Sequence, residues 1–544
     1  MTDSPLPGTP DEALPDILAD AAPFEAHEIY TIYQRQEEPD AAELDLARQL
    51  RNDIGNAGRL RKRFGWRLLM VKDIGWHVWT GQRWDGVRGE IEAQRLAHRT
   101  ARAIFAEAKA LACEGPQPVM EIDKKTGEII AREETPAEFT ARVDSHRKWA
   151  TTSGNSPKLK AMLEQSAPDC TVKVEELDAD PWVLNLPNGV LDLRNLPKGA
   201  DAGGGDEPGS GGLMNHDPLR LISKIAGAAY DPDAGCPIFD AFLARILPDA
   251  SVRLFLQRWF GYSLSGSTAE QCLVFLYGTG SNGKSTLVEV IMRVLGDYAM
   301  TLNFSSLYHD DRKRGSDATP DIAQLPGARM VLASEPEAGV RFSEALIKTL
   351  TGDARIKARN LNLGFFDFAP EFKLTLAGNH KPSVRGQDEG IWRRVNLVPF
   401  DVQVPKAERD KRLPEKLKAE YPGILNWLLD GLRMYLEDGL QPPEAVAAAT
   451  EKYRSESDPI GQFLAEETRP LPGSHVQATA LHGRYCDWAK ANAIDAVSAT
   501  LFGRRLRDRG YESTKMGVNY WVGLELLEPR SPAGEEGGQP SGAG

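Results

Sequence analysis

No run of 18 or more consecutive apolar residues occurs in the sequence, so no membrane-spanning helix is expected. The opening MTDSPLPGTPDEALPD lacks the basic segment and apolar core of a secretory leader. Cysteine is scarce. Cys113, Cys170, Cys236, Cys272 and Cys486 are scattered, odd in number and never spaced as C-x-x-C. That pattern argues against a disulfide framework and a zinc ribbon, and for a reducing, cytoplasmic compartment.

What the 544 residues do contain is ordinary globular composition, 41% apolar and 26% charged. At about 100–200 residues per domain, this length implies three or four domains. The net charge of −13 is unevenly spread. Residues 1–46 hold twelve acidic side chains against one basic, Arg35, and account for −11; the remainder is nearly neutral at −2. The acidity therefore does not argue against nucleic-acid binding by the body of the chain. Residues 1–40, with Pro5, Pro7, Pro10 and Pro15, read as an acidic, partly disordered tail, and residues 528–544 as a second disordered tail.

Residues 41–178 read as an α+β N-terminal domain. A helix is expected over Glu43–Ile54, and a hairpin over Trp66–Trp79 with its turn near Asp73–Gly75 and Trp84 closing it. A long helix follows over 86–112, then a hairpin turning at Lys124–Gly127 and helix again over 136–166. Residues 179–262 read as a small β unit, carrying a flexible glycine-rich insertion at 198–212, and a helical collar broken at Pro248. Residues 263–404 alternate apolar strands with helices, the pattern of an α/β nucleotide-binding core. Residues 405–457 read as a helical lid, and 442–470 as a helix followed by a proline-punctuated linker. Within 458–527, helices Ala478–Ala491 and Ser498–Arg509 precede a hairpin over Tyr511–Leu526, which reads as a winged helix.

The sharpest local signal is CLVFLYGTGSNGKSTLVEVIMRVLG. An apolar strand, Cys272–Tyr277, leads into Gly278-Thr279-Gly280-Ser281-Asn282-Gly283-Lys284-Ser285, which matches G-x-x-x-x-G-K-[ST]. An amphipathic helix, Thr286–Leu295, follows. Gly278, Gly280 and Gly283 let the backbone of Ser281 and Asn282 wrap a polyphosphate with its N–H groups inward. The helix start at Ser285 and Thr286 adds partial positive charge. Lys284 would reach the β and γ oxygens of ATP, and the Ser285 hydroxyl would face Mg²⁺.

Hydrolysis also needs a carboxylate near the metal and a group that positions water. In ARMVLASEPEAG, the strand Met330–Ala333 ends just before Glu335 and Glu337, and parallel strands present side chains at their C-terminal ends. Glu335 is the expected metal and water carboxylate, with Glu337 as its partner. In FKLTLAGNH, the strand Leu374–Ala377 ends at Gly378-Asn379. Asn379 fits a water- or γ-phosphate-binding amide and equally a simple turn residue. In GIWRRVNLVPF, Arg393 and Arg394 precede a strand. They fit a surface pair or an arginine finger, with Arg394 the first choice and Arg393 the second.

Taken in this order, GTGSNGKST, RMVLASEPEAG, LIKTLTGDARIKARNL, FFDFAPEFKLTLAGNHKP and GIWRRVNLVPF resemble the superfamily 3 helicases. The closest resemblance is to the phage/plasmid and poxvirus-type primase-helicase C-terminal region. It implies an AAA+-like ATPase forming a hexameric ring that translocates 3′ to 5′ on single-stranded DNA and unwinds forks. Nucleotide would lie between subunits, with Lys284, Ser285, Glu335 and Asn379 on one side and Arg394 from the next. It also implies a replicative role in a phage, plasmid or integrated element of a bacterial host cell. Many relatives carry a primase domain. This sequence shows no hydrophobic-flanked Asp-x-Asp pair with a downstream catalytic His, so primer synthesis is expected from a separate primase.

Two basic groups are candidate DNA contacts. Arg355, Lys357 and Arg359 alternate along an expected strand, and Leu361–Gly364 would turn it towards Phe365, Phe366 and Phe368. The basic residues suit phosphates, while the phenylalanines read mainly as core. In the resembled family this hairpin lines the central pore. In the C-terminal unit, Arg504 and Arg505 on the second helix and Lys515 in the hairpin suit duplex DNA, or alternatively a solvated face or a docking wing. Two rival functions stand beside the helicase: another P-loop NTPase, and an ATP-gated DNA-binding initiator with little turnover.

Overall fold

The computed structural model describes residues 40–196, 212–308, 319–336, 340–359, 365–384, 389–492 and 494–528. Most of the glycine-rich insertion, Glu337 and the turn Leu361–Gly364 lie outside them. The chain divides into two units, 1–229 and 230–544, a boundary inside the stretch 179–262. No helix among the described residues is long and apolar enough to cross a membrane.

The first unit is α+β. Strands Leu68–Val71, Gly75–Trp79 and Trp84–Asp85 form an antiparallel meander, and Thr171–Val172 adds a parallel edge. The long helix Gly89–Glu114 lies against this sheet so closely that a Cβ on Gly89 would sit 1.6 Å from the Trp76 carbonyl oxygen. Leu60, Leu68, Trp76, Val78, Leu96 and Met162 form the core between them. The expected helix Glu43–Ile54 is instead two, Ala41–Ala47 and Asp53–Phe64. Asn52 causes the break: its side chain accepts from Gly55 N at 2.8 Å and caps the second helix. Arg59 then ties the intervening turn down, donating to Leu50 O at 2.9 Å. Strands Val183–Leu186, Gly189–Asp192 and Leu213–Met214 make a separate small sheet.

The second unit is numbered from its own first element. Helices α1 (Pro237–Ile246) and α2 (Ala250–Tyr262) precede strand β1 (Leu273–Tyr277) and helix α3 (Lys284–Leu295). Then follow β2 (Ala299–Thr301), β3 (Met330–Ser334), α4 (Glu344–Gly352) and a hairpin of β4 (Ile356–Arg359) and β5 (Phe365–Phe368). Strands β6 (Lys373–Gly378) and β7 (Val395–Pro399) complete a five-stranded parallel sheet ordered β2-β3-β6-β1-β7. Its central strands are buried along almost their whole length because both faces are covered, and β6 carries Lys373 and Thr375 among its buried residues. With β1 leading into a glycine-rich loop and α3, the sheet is consistent with a P-loop core.

Helices α5 (Leu413–Ala419), α6 (Tyr421–Asp438) and α7 (Glu444–Glu456) follow. The stretch expected as a linker forms helix α8 (Pro459–Glu467) and strand β8 (Thr468–Gln477). Asp458 caps α8 and Pro459 occupies its first turn, where a missing N–H costs nothing. Strand β8 tolerates Pro470 and Pro472 because it lies at the sheet edge and shifts register between Pro470 and His475. Helices α9 (Ala478–Ala491) and α10 (Ala499–Asp508) and strands β9 (Ser513–Met516) and β10 (Val518–Leu526) complete the fold, the last sheet running β8-β10-β9.

Candidate active site

The loop between β1 and α3 stands at the C-terminal edge of the parallel sheet. Gly283 precedes α3 with φ +81°, and a Cβ there would meet Ile246 Cγ2 at 2.7 Å, so glycine is required twice over. No side chain caps α3, which leaves its first-turn N–H groups to an anion. Ser281 holds φ +69°, a strained conformation for a residue with a side chain. Asn282, buried, braces the loop by donating from Nδ2 to Phe400 O at 3.0 Å. Gln403 Nε2 donates to Thr279 Oγ1 at 3.0 Å, and Val404 N to Ser281 O at 2.8 Å. The segment after β7 therefore clamps the loop from outside, a role the sequence did not single out.

Lys284 is 5% exposed. Its Nζ donates to Gly278 O at 2.6 Å, Asn282 Oδ1 at 3.0 Å and Asn379 Oδ1 at 3.2 Å. Burial lowers its pKa from the ordinary lysine range to about 8. Asn379 follows β6, and β6 pairs in parallel with β1, which brings the amide beside the loop. Ser285 is exposed at the start of α3, with Thr286 half-buried behind it.

Glu335 follows β3 at the same edge, exposed, with φ +62° and its N–H on Ala377 O at 2.9 Å. Its carboxylate has no partner among the described residues. The loop, Lys284, Asn379 and Glu335 thus share one sheet edge. Arg393 and Arg394 do not. They precede β7, which runs parallel to β1, so they lie at the opposite edge, about 15–20 Å away at 3.3 Å per strand residue. Arg394 is buried: its Nη1 donates to Gly390 O, its Nη2 lies against Gly352, and its Nε has no partner among the described residues. Arg393 is exposed, and its side chain has no partner among the described residues.

On the β4–β5 hairpin, Phe365 is 47% exposed while Phe368 is buried at 4%. The expectation of mainly core phenylalanines holds for Phe368 and fails for Phe365, because the ring stands near the turn, beyond the core. Lys357 and Arg359 lie 5.6 and 5.1 Å from its centroid, so one face of the hairpin carries an aromatic ring flanked by cations. Arg355, just before β4, is exposed. In the C-terminal part, Arg504 and Lys515 are exposed and Arg505 half-buried.

Residues 57–248 match the family described as "D5 N terminal like". The chain is 28% identical over 344 residues to "Putative helicase L207/L206" of Acanthamoeba polyphaga mimivirus, covering 59% of this chain and 34% of that protein. It is 28% identical over 304 residues to "Putative helicase 022R" of Frog virus 3, covering 53% and 31%. Against "Putative primase C962R" of African swine fever virus it is 22% identical over 346 residues, covering 59% and 34%. The chain thus spans about a third of the length of these viral relatives. Among solved structures, the apo NrS-1 C terminal region matches with a TM-score of 0.36 at 13% identity, over 58% of this chain and 83% of that one. Residues 57–248 are thus similar to the D5 N terminal like family, and the chain shows distant homology to viral proteins named as putative helicases and primases.

Proposed function

We propose that the chain is an ATP-hydrolysing DNA helicase or translocase serving replication of a phage, plasmid or other mobile genome, moving 3′ to 5′ on single-stranded DNA. The observation that carries this reading is the Lys284 Nζ to Asn379 Oδ1 bond, which joins an uncapped glycine-rich loop to the amide ending the adjacent strand. The loop and helix start suit the phosphates of ATP. Ser285 and Glu335 offer exposed oxygen donors to Mg²⁺, which would neutralise charge on the β and γ oxygens. Glu335 orients the attacking water and takes its proton, with Glu337 as its partner, and Asn379 holds the γ-phosphoryl group.

Charge developing on that group is met by an arginine of a neighbouring protomer, in a homo-hexameric ring. Arg393 suits this better than Arg394, because it is exposed whereas Arg394 is engaged within its own chain. Arg355, Lys357 and Arg359 contact single-stranded DNA beside Phe365, and Arg504, Arg505 and Lys515 of a winged helix contact the forked duplex. Priming is left to a separate protein.

The test is steady-state ATP hydrolysis with and without single-stranded DNA, with the Lys284→Ala protein as blank. Stimulation by DNA that vanishes in the variant supports the helicase. Turnover indifferent to DNA favours another P-loop NTPase. DNA binding without turnover favours an ATP-gated initiator.

A further inference from the structure

We infer that the Lys381–Glu456 ion pair and Tyr453 link the phosphate loop to α10, so that nucleotide at Lys284 changes how the C-terminal part of the chain holds DNA. The inference rests on the ATPase reading above. Its basis is the end of α7, where one buried side chain meets β1, the segment after β6 and the segment before β7. Tyr453 is 1% exposed. Its hydroxyl donates to Pro382 O, three residues beyond Asn379. Its ring stands edge-on to Trp392 at 5.2 Å, next to Arg393, and 6.4 Å from Phe275 in β1, the strand that ends at the loop.

Beside it, Lys381 lies with its ammonium 4.6 Å from the ring centroid of Tyr277, the last residue of β1. The same Nζ donates to Glu456 Oε2 at 2.7 Å. Glu456 ends α7. Two residues on, Asp458 begins α8, accepting from Gly461 N at 3.0 Å, and its Oδ1 also accepts from Arg509 Nη2. Arg509 follows α10 directly and donates from Nη1 to Arg505 O at 2.9 Å. The path from Lys284 runs through Asn379, Lys381, Glu456, Asp458 and Arg509. Each joint is a hydrogen bond, an ion pair or two residues of backbone.

A phosphate at the loop competes for Lys284 Nζ and loosens its bond to Asn379. Lys381, two residues further, then shifts against Glu456. An ion pair whose carboxylate side chain is 45% exposed contributes little to stability, so stability does not account for this pair between the sheet and the C-terminal helices. Spatial contiguity gains meaning as coupling only through linkage: nucleotide must change DNA affinity, and DNA must change nucleotide affinity by the same factor.

The experiment compares full-length wild type with Glu456→Gln and Lys381→Met. Affinity for a labelled fork is measured with no nucleotide and with a saturating non-hydrolysable ATP analogue and Mg²⁺. In the wild type the two affinities differ by about five-fold or more, the usual size of such coupling, and in each variant the ratio falls towards one. Nucleotide affinity without DNA and the melting temperature stay at wild-type values, and Glu456→Asp, which keeps the charge, keeps the ratio. An unchanged ratio in both variants, or a wild-type ratio of one, overturns the inference and leaves the ATPase reading standing. Failure of the wild type to bind nucleotide removes that reading first, and the coupling with it.

Discussion

Lys284 Nζ lies 3.2 Å from Asn379 Oδ1, so the lysine of the glycine-rich loop is held by the amide that follows the neighbouring strand. Burial sets this lysine at about 8, and an adjacent polyphosphate favours its charged form. Above pH 8 the lysine is increasingly neutral, so on the proposed reading ATP binding is expected to take up a proton, with affinity falling as pH rises from about 8 towards 10. Titration calorimetry in two buffers of different ionisation enthalpy, at about pH 8.5, reads this uptake directly. Equal apparent enthalpies in both buffers would contradict it.

The two arginines before β7 separate by environment. Arg393→Ala is expected to keep the melting temperature, bind ATP and lose hydrolysis by about 10³-fold or more, the usual worth of a finger. Arg394→Ala is expected to cost about 1–3 kcal/mol of stability, because its bond to Gly390 O and its packing against Gly352 are lost. Thermal melts beside turnover distinguish them. A stable Arg394→Ala protein that binds ATP without hydrolysing it reverses the assignment.

Phe365 is the one phenylalanine of its strand that stands mostly clear of the core, flanked by Lys357 and Arg359. Phe365→Ala should weaken single-stranded DNA binding by about 1–3 kcal/mol at unchanged salt slope, as expected for loss of one stacked base. Lys357→Ala should instead lower the slope of log affinity against log salt by about one contact. Fluorescence titrations across a salt series test both. Matching salt slopes for the two variants would contradict the division of roles.

In the first unit, Glu107 is fully buried between Arg59 at 2.9 Å and His146 at 2.9 Å. Burial acts to raise its pKa, but the His146 hydrogen bond and the Arg59 charge outweigh it, and the carboxyl sits below its ordinary value. A lowered carboxyl stabilises above the ordinary carboxylate range and ceases to as pH falls through the lowered value. Glu107→Gln strands Arg59 in the core, at a cost of about 3–5 kcal/mol. Hydrogen exchange along Gly89–Glu114 measures it, and unchanged protection would refute the linkage.

Much of this was legible in the sequence where the determinants are local. The glycine-rich loop, its strand and its helix are specified within 25 consecutive residues, Cys272–Gly296, and periodicity marks the long helix Gly89–Glu114. What escaped depends on partners distant in sequence. Nothing in Arg393-Arg394 tells which one turns inward; Gly390 and Gly352 decide it. The ion pair of Lys381 spans 75 positions to Glu456, although Lys381 belongs to the quoted GNHKP. Gln403 acts through Thr279, over 124 positions. The break at Arg48–Asn52 was within reach, since Asn52-Asp53 is a cap signal that apolar periodicity overrode.

The edge strand β8 has a consequence for life in many copies. An open sheet edge is a row of unpaired donors and acceptors on which another chain can extend a ladder. Pro470 and Pro472 remove two of those donors, and the register shift before His475 bends the strand away from a flat template. Molecules crowded together would therefore be kept from zippering through β8, leaving the short strand β9 as the other edge of that sheet.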